Sequence, residues 1–114
     1  MSKARAKGTL GENGVIQVLI ENGFKHAERR ALAGINDKGD VAGVAGIVFE
    51  VKNHKTYKIS EWMKETEIET ENASADFGIL VVKPNGVGLS NARKWWAVMS
   101  LEDMAQLLKR AGYR

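Results

Sequence analysis

Apolar and polar positions along the chain change their period several times, and each change predicts a different element. Val15 and Leu19, four residues apart, are typical of the inner face of a helix that ends before Gly23. Residues 77–83 are almost wholly apolar, which indicates a strand covered on both of its faces. The pattern predicts helices at residues 9–22, 57–73 and 100–112, and strands at 41–44, 47–52, 77–83 and 94–99, with an ambiguous strand at 24–32. This order, α-β-β-β-α-β-β-α, predicts an α/β fold in which a mixed sheet is flanked by helices.

Several local signals refine these elements. Thr9 and Glu12 have the spacing of a capping box, and Ser60 is a candidate N-cap for the second helix. Trp95 and Trp96 lie on opposite faces of the last strand, so one is expected to pack inward and the other to meet a partner chain. The second helix has a glutamate-rich face from Glu61 to Glu71 and an inner stripe of Ile59, Trp62, Met63 and Thr66.

Length and composition limit the protein class. The 114 residues correspond to one domain, predicted at residues 8–114 and preceded by a flexible basic arm at residues 1–7. The chain has no cysteine, which excludes disulfides and thiolate chemistry. No apolar stretch is long enough to cross a membrane, and no signal peptide is recognisable. A cytoplasmic protein with neither a membrane nor an organic cofactor as partner is expected.

Charge is segregated along the chain. The net charge is +3, but residues 61–76 contain six acidic residues and one lysine, so the remaining segments are clearly basic. Such segregation predicts one surface that faces a polyanion and another that is turned away from it. An ordinary solvated acidic helix on a mildly basic protein explains the same charges.

The densest candidate chemistry lies between Asp40 and Lys52. Side chains alternate along a strand, so Glu50 and Lys52 point to the same face. If the strands on either side of Gly43 pair as a hairpin, Asp40 reaches that face as well. Two carboxylates and an ammonium group suit a hard divalent cation with an activated water beside it, which is a nuclease-like arrangement.

These residues resemble those of the PD-(D/E)xK nuclease superfamily, and within it the archaeal-type and virus-encoded Holliday-junction resolvases. The similarity covers about residues 7–99 and rests on Lys7-Gly8 followed by Glu12, on Gly39-Asp40-Val41 and on Phe49-Glu50-Val51-Lys52. Gly39 stands where the superfamily name has a proline. The resemblance implies a restriction-endonuclease-like fold and a metal-dependent endonuclease that cuts four-way DNA junctions.

The resemblance also implies roles for individual residues. Asp40 and Glu50 would bind Mg²⁺, for which Mn²⁺ would substitute, together with the backbone carbonyl of Val51. Glu12 would lie at the edge of the site and hold a metal-bound water or a second ion, and Lys52 would orient the attacking water or stabilise charge on the phosphate. A resolvase cuts two symmetry-related strands, so a homodimer is expected. Candidate phosphate contacts on the branched DNA are Lys3, Arg5, Lys7, Arg29, Arg30, Lys55 and Lys58.

Other functions remain open from sequence alone. The same catalytic set would serve a nuclease for flapped, branched or plain duplex DNA. A non-catalytic nucleic-acid-binding protein of the same fold, and an interaction module that uses the glutamate-rich helix, are further alternatives. Phosphate-driven binding weakens steeply with salt, which separates DNA binders from the last class.

Overall fold

The computed structural model describes residues 2–30 and 36–114, and its elements follow the predicted order. Residues 31–35, which include part of the predicted strand at 24–32, lie outside the described residues. The helices are α1 (Lys3–Glu21), α2 (Ile59–Asn72) and α3 (Leu101–Arg110), with a 3-10 helix at Leu89–Lys94. The strands are β1 (Glu28–Arg29), β2 (Val41–Ala42), β3 (Ile47–Lys52), β4 (Phe77–Val82) and β5 (Trp96–Val98).

Within the described part of the chain, the five strands form one mixed sheet in the order β1-β2-β3-β4-β5. Only β3 and β4 are parallel, with Ile47 paired to Phe77 and Lys52 to Val82, and α2 makes the crossover between them. The other neighbouring pairs are antiparallel. The predicted α/β class with a mixed sheet and flanking helices is therefore confirmed.

Each face of the sheet has its own hydrophobic cluster. Phe49 and Val51 of β3 pack with Val15 of α1 and with Trp95. On the opposite face, Leu80 and Val82 of β4 pack against Trp62 of α2. Because side chains alternate along β3, Glu50 and Lys52 share the face that α2 covers.

The N-terminal prediction is wrong. Residues 3–7 are the first turns of α1 rather than a flexible arm, and Ser2 caps the helix by accepting a hydrogen bond from Arg5 N–H at 3.1 Å. Thr9 therefore lies inside the helix and forms no capping box with Glu12.

Among the described residues, no helix is both long enough and apolar enough to cross a membrane.

Two other local predictions have clear outcomes. Helix α2 begins at Ile59, so its N-cap residue is Lys58, which makes no capping hydrogen bond with its side chain. Ser60 lies inside the helix and is not the N-cap. Trp95 is buried, whereas Trp96 is 49% exposed and stacks edge-on against Tyr57. The inward tryptophan is thus confirmed as Trp95, and a partner chain at Trp96 stays a prediction.

Candidate active site

Asp40 is held at the edge of β3 by its own backbone. Its N–H donates to Phe49 O at 2.7 Å, and its carbonyl accepts from Arg30 N–H at 2.9 Å. Gly39 permits this close approach, because its φ is +95° and a Cβ there would lie 2.8 Å from Phe49 O. Proline has φ fixed at about −65° and could not adopt the positive φ of residue 39, which accounts for the glycine in the motif.

The Asp40 side chain is fixed by the neighbouring strand. Its Oδ2 atom accepts a hydrogen bond of 2.7 Å from Val51 N–H. The N–H and C=O of one strand residue point to the same edge, so the Val51 carbonyl also faces the Asp40 side of β3. The Val51 carbonyl is therefore on the same side of β3 as Asp40, and its binding to metal stays a prediction.

Glu50 lies beneath α2 and is only 3% exposed. Burial, followed by the hydrogen bond that the protonated carboxyl group of Glu50 donates to Asp40, raises the pKa of Glu50 to about 12. Both effects penalise the ionised form of Glu50, so this carboxyl group holds a proton at neutral pH unless another cation replaces it.

Lys52 has two acidic neighbours. Its Nζ atom lies 2.8 Å from Glu65 Oε2 and 4.0 Å from Glu50 Oε2. Burial alone would lower the pKa of Lys52, but the hydrogen bond that Lys52 donates to Glu65 and the negative field of the surrounding carboxyl groups outweigh it, so the pKa is raised. Lys52 is therefore an ammonium group at neutral pH, which is the form that its predicted role requires.

Glu12 reaches the same cleft from α1 but is already paired. Arg29 Nε donates to Glu12 Oε1 at 2.8 Å, and Arg29 Nη2 donates to Thr9 Oγ1 at 3.3 Å. Two of the residues predicted for separate roles, metal binding by Glu12 and phosphate binding by Arg29, thus form an ion pair. Arg29 orients Glu12 at the rim of the cleft.

A cleft of about 430 Å³ brings the predicted catalytic residues together. Two predicted phosphate contacts, Lys7 and Lys55, line it, whereas Lys58 lines an adjacent depression beside Lys52. Lys3 and Arg5 are exposed on the first turns of α1, and Arg30 is half-buried. The acidic residues that line the cleft are Glu12, Asp37, Asp40, Glu50 and Glu65.

Sequence reasoning missed three acidic groups around this site, namely Asp37, Glu65 and Glu69. Glu65 binds Lys52, and Glu69 is 2% exposed, so the glutamate-rich face of α2 is partly an inner face. The spacing of Trp62, Thr66 and Glu69, at i, i+4 and i+7, was the available signal. A glutamate in register with a buried stripe indicates a buried carboxylate.

Comparisons with known proteins found no match. No protein-family model matches the sequence, and neither a curated protein nor a solved structure matches the chain. A fold alone does not determine a function, so the residues of the cleft carry the functional argument.

Proposed function

We propose that this protein is a cytoplasmic, Mg²⁺-dependent, structure-selective DNA endonuclease that resolves four-way junctions by paired nicks. The observation that carries the proposal is that the Asp40 and Glu50 carboxyl groups line one cleft together with Lys52, whose Nζ atom lies 4.0 Å from Glu50 Oε2. This arrangement is the one that the resemblance of the motif to the PD-(D/E)xK nucleases implies.

The donor atoms of the cleft suit Mg²⁺, with Mn²⁺ as a substitute. Asp40, Glu50 and the Val51 carbonyl offer oxygen ligands only, and Mg²⁺ keeps its remaining positions for water and phosphate. The high pKa of Glu50 fits this role, because a carboxyl group that is unstable as a lone anion gains most from a bound cation. Such a cation supplies an acidified water and neutralises charge on the phosphate.

The protein's own groups would then position the reactants. Lys52 would exchange its contact with Glu65 for the attacking water or the phosphate and stabilise the developing negative charge. Glu12, held by Arg29, would accept a hydrogen bond from water at the rim of the cleft. Lys7 and Lys55 would hold the DNA backbone on either side.

Recognition through phosphates and junction shape would make cutting largely independent of sequence. Two symmetry-related strands must be cut, so a homodimer with two clefts is the proposed assembly. The exposed ring of Trp96, next to Tyr57, is the proposed contact with the partner chain.

A cleavage assay tests the function. A labelled four-way junction and a linear duplex made from the same arms are incubated with the protein and Mg²⁺, then with Mn²⁺, and with a chelator as control. We expect symmetric paired nicks in the junction, little cutting of the duplex, and none with chelator. Equal cutting of both substrates would keep the nuclease and discard junction selectivity. Absence of cutting with either metal would favour a non-catalytic binding protein.

Lys52→Ala is expected to lower the single-turnover cleavage rate by about 100-fold or more, because the substitution removes charge stabilisation at the phosphate. Mn²⁺ affinity should be retained, since both metal-binding carboxylates remain. Lys64→Ala is the matched control, because Lys64 is an exposed residue of α2 that does not line the cleft. An unchanged rate in Lys52→Ala would remove this residue from the mechanism.

A further inference from the structure

Glu69 is a buried carboxylate for which the proposed nuclease chemistry has no use. The residue is 2% exposed, and within the described chain both of its carboxylate oxygens are buried without a hydrogen-bond partner. An unpaired carboxylate is costly to bury, so proteins neutralise it with a proton, a basic side chain or a metal ion. Lys52, whose Nζ atom lies 4.0 Å from Glu50 Oε2, is already bound to Glu65.

The carboxylate of Glu69 points at two other carboxylates. One oxygen atom from each of Asp37, Glu50 and Glu69 lies within 4.8 Å of the other two. Around an ion with oxygens at about 2.1 Å, neighbouring oxygens are about 3 Å apart and opposite ones about 4.2 Å apart, so the three carboxylates would draw closer together on coordinating Mg²⁺ or Mn²⁺. The group therefore has the donor type of a cation site, and its members lie near enough to converge on one ion.

The three carboxylates are held from three different parts of the fold. Asp37 Oδ1 accepts a hydrogen bond of 2.8 Å from Gly39 N–H. This bond fixes the Asp37 side chain, and one carboxylate oxygen is enough to ligate an ion. Asn72 Nδ2 donates to Asp37 O at 2.9 Å and so ties the end of α2 to this loop. These contacts arrange the ligands before any ion arrives, which lowers the cost of binding.

The backbone is also arranged for close approach of α2. Gly78 of β4 lies directly under the helix, where a Cβ would overlap Thr70 Oγ1 and lie 3.0 Å from Thr66 Cγ2. Because Gly78 has no side chain, α2 packs closely against the sheet next to β3. Glu69, one residue before Thr70, is thereby brought over Glu50.

We propose that Asp37, Glu50 and Glu69 bind a divalent cation at the inner end of the cleft. This site is separate from the site at Asp40 and Val51, and Glu50 bridges the two. Carboxylates that bridge paired cations about 4 Å apart are a common way to hold two metals. The inference stands independently of DNA cleavage, because it concerns ion binding by the protein alone.

The experiment is a titration of the DNA-free protein with Mn²⁺. Electron paramagnetic resonance measures the concentration of free Mn²⁺, and calorimetry measures the heat of binding. Wild-type protein is compared with Glu69→Gln and with Glu67→Gln, in which an exposed glutamate of the same helix loses the same charge. We expect two ions per wild-type chain and per Glu67→Gln chain, and at least about tenfold weaker binding of one ion by Glu69→Gln. Equal stoichiometry and affinity in all three proteins would overturn the proposal and assign neutralisation of Glu69 to a proton.

Two further variants guard against misfolding and separate the sites. Asp37→Asn keeps an oxygen for Gly39 N–H and should reproduce the loss seen in Glu69→Gln; if it binds both ions, the proposed ligand set is wrong. Asp40→Asn should lose only the other ion, and loss of both would overturn the separation of the sites. A protein that binds Mn²⁺ through Glu69 but never cuts DNA would contradict the proposed function alone.

Discussion

Cleavage of a four-way junction is expected to fall by at least about 1,000-fold in Asp40→Asn, because one of the two carboxylates that would bind Mg²⁺ and activate water is lost. Junction affinity should change by less than about threefold, since phosphate contacts from basic residues provide it. Asparagine retains an oxygen that can accept the 2.7 Å hydrogen bond from Val51 N–H, so the edge of β3 should keep its geometry. Single-turnover rates and a gel-shift titration in Ca²⁺ measure the two quantities separately.

The control for this substitution is Asp76→Asn. Asp76 is an exposed carboxylate at the opposite end of the parallel pair, where it contacts Arg110 at 3.2 Å. Its replacement removes the same charge and should leave the cleavage rate unchanged. If Asp40→Asn loses junction binding and folded structure together with cleavage, Asp40 has a structural role. If it cuts at the wild-type rate, Asp40 is not a metal ligand.

The parts of the site that were predictable depend on neighbours along one strand. Glu50 and Lys52 are two residues apart, so strand alternation alone places them on one face. Asp40 required one further assumption, that β2 pairs back onto β3, and the 2.7 Å contact with Phe49 O bears this out. Local period and a single hairpin are visible in a sequence.

The parts that were missed depend on tertiary contacts or on a competing signal. The Glu12–Arg29 pair joins residues 17 positions apart across two elements, and no local period reveals it. Residues 3–7 are all alanine, lysine or arginine, which are strong helix formers, but their charge indicated an arm. Glu69 had the spacing of a buried residue, and its charge led to the opposite assignment. For residues 3–7 and for Glu69, polarity was weighted above helical propensity or period.

The metal-free protein is expected to lose stability as the pH rises from about 5 to about 8. Burial raises the pKa of Glu69 from 4.5 to about 8 and that of Glu50 to about 12, so the folded state binds more protons than the unfolded state in this range. The contribution of each group to the free energy of unfolding is complete below the unfolded pKa and is lost as the pH rises towards the folded pKa. For a domain of this size, a drop in Tm of at least about 5 °C is expected.

Circular dichroism measures the Tm of the protein in a chelating buffer at several pH values between about 5 and about 8. Other titrating groups also change the free energy of unfolding, and those that do not interact with Glu69 cancel when wild-type protein is compared with Glu69→Gln, which cannot ionise at residue 69. The variant should show a shallower fall and a higher Tm than wild type at pH 8, whereas the exposed-site control Glu67→Gln should keep the wild-type slope. Saturating Mg²⁺ should flatten the wild-type curve of Tm against pH, because a bound cation neutralises the ionised carboxylates in place of the protons. Parallel curves for wild type and Glu69→Gln without metal would show that burial of Glu69 does not shift its ionisation, and the buried cluster would then have to be neutralised by other means.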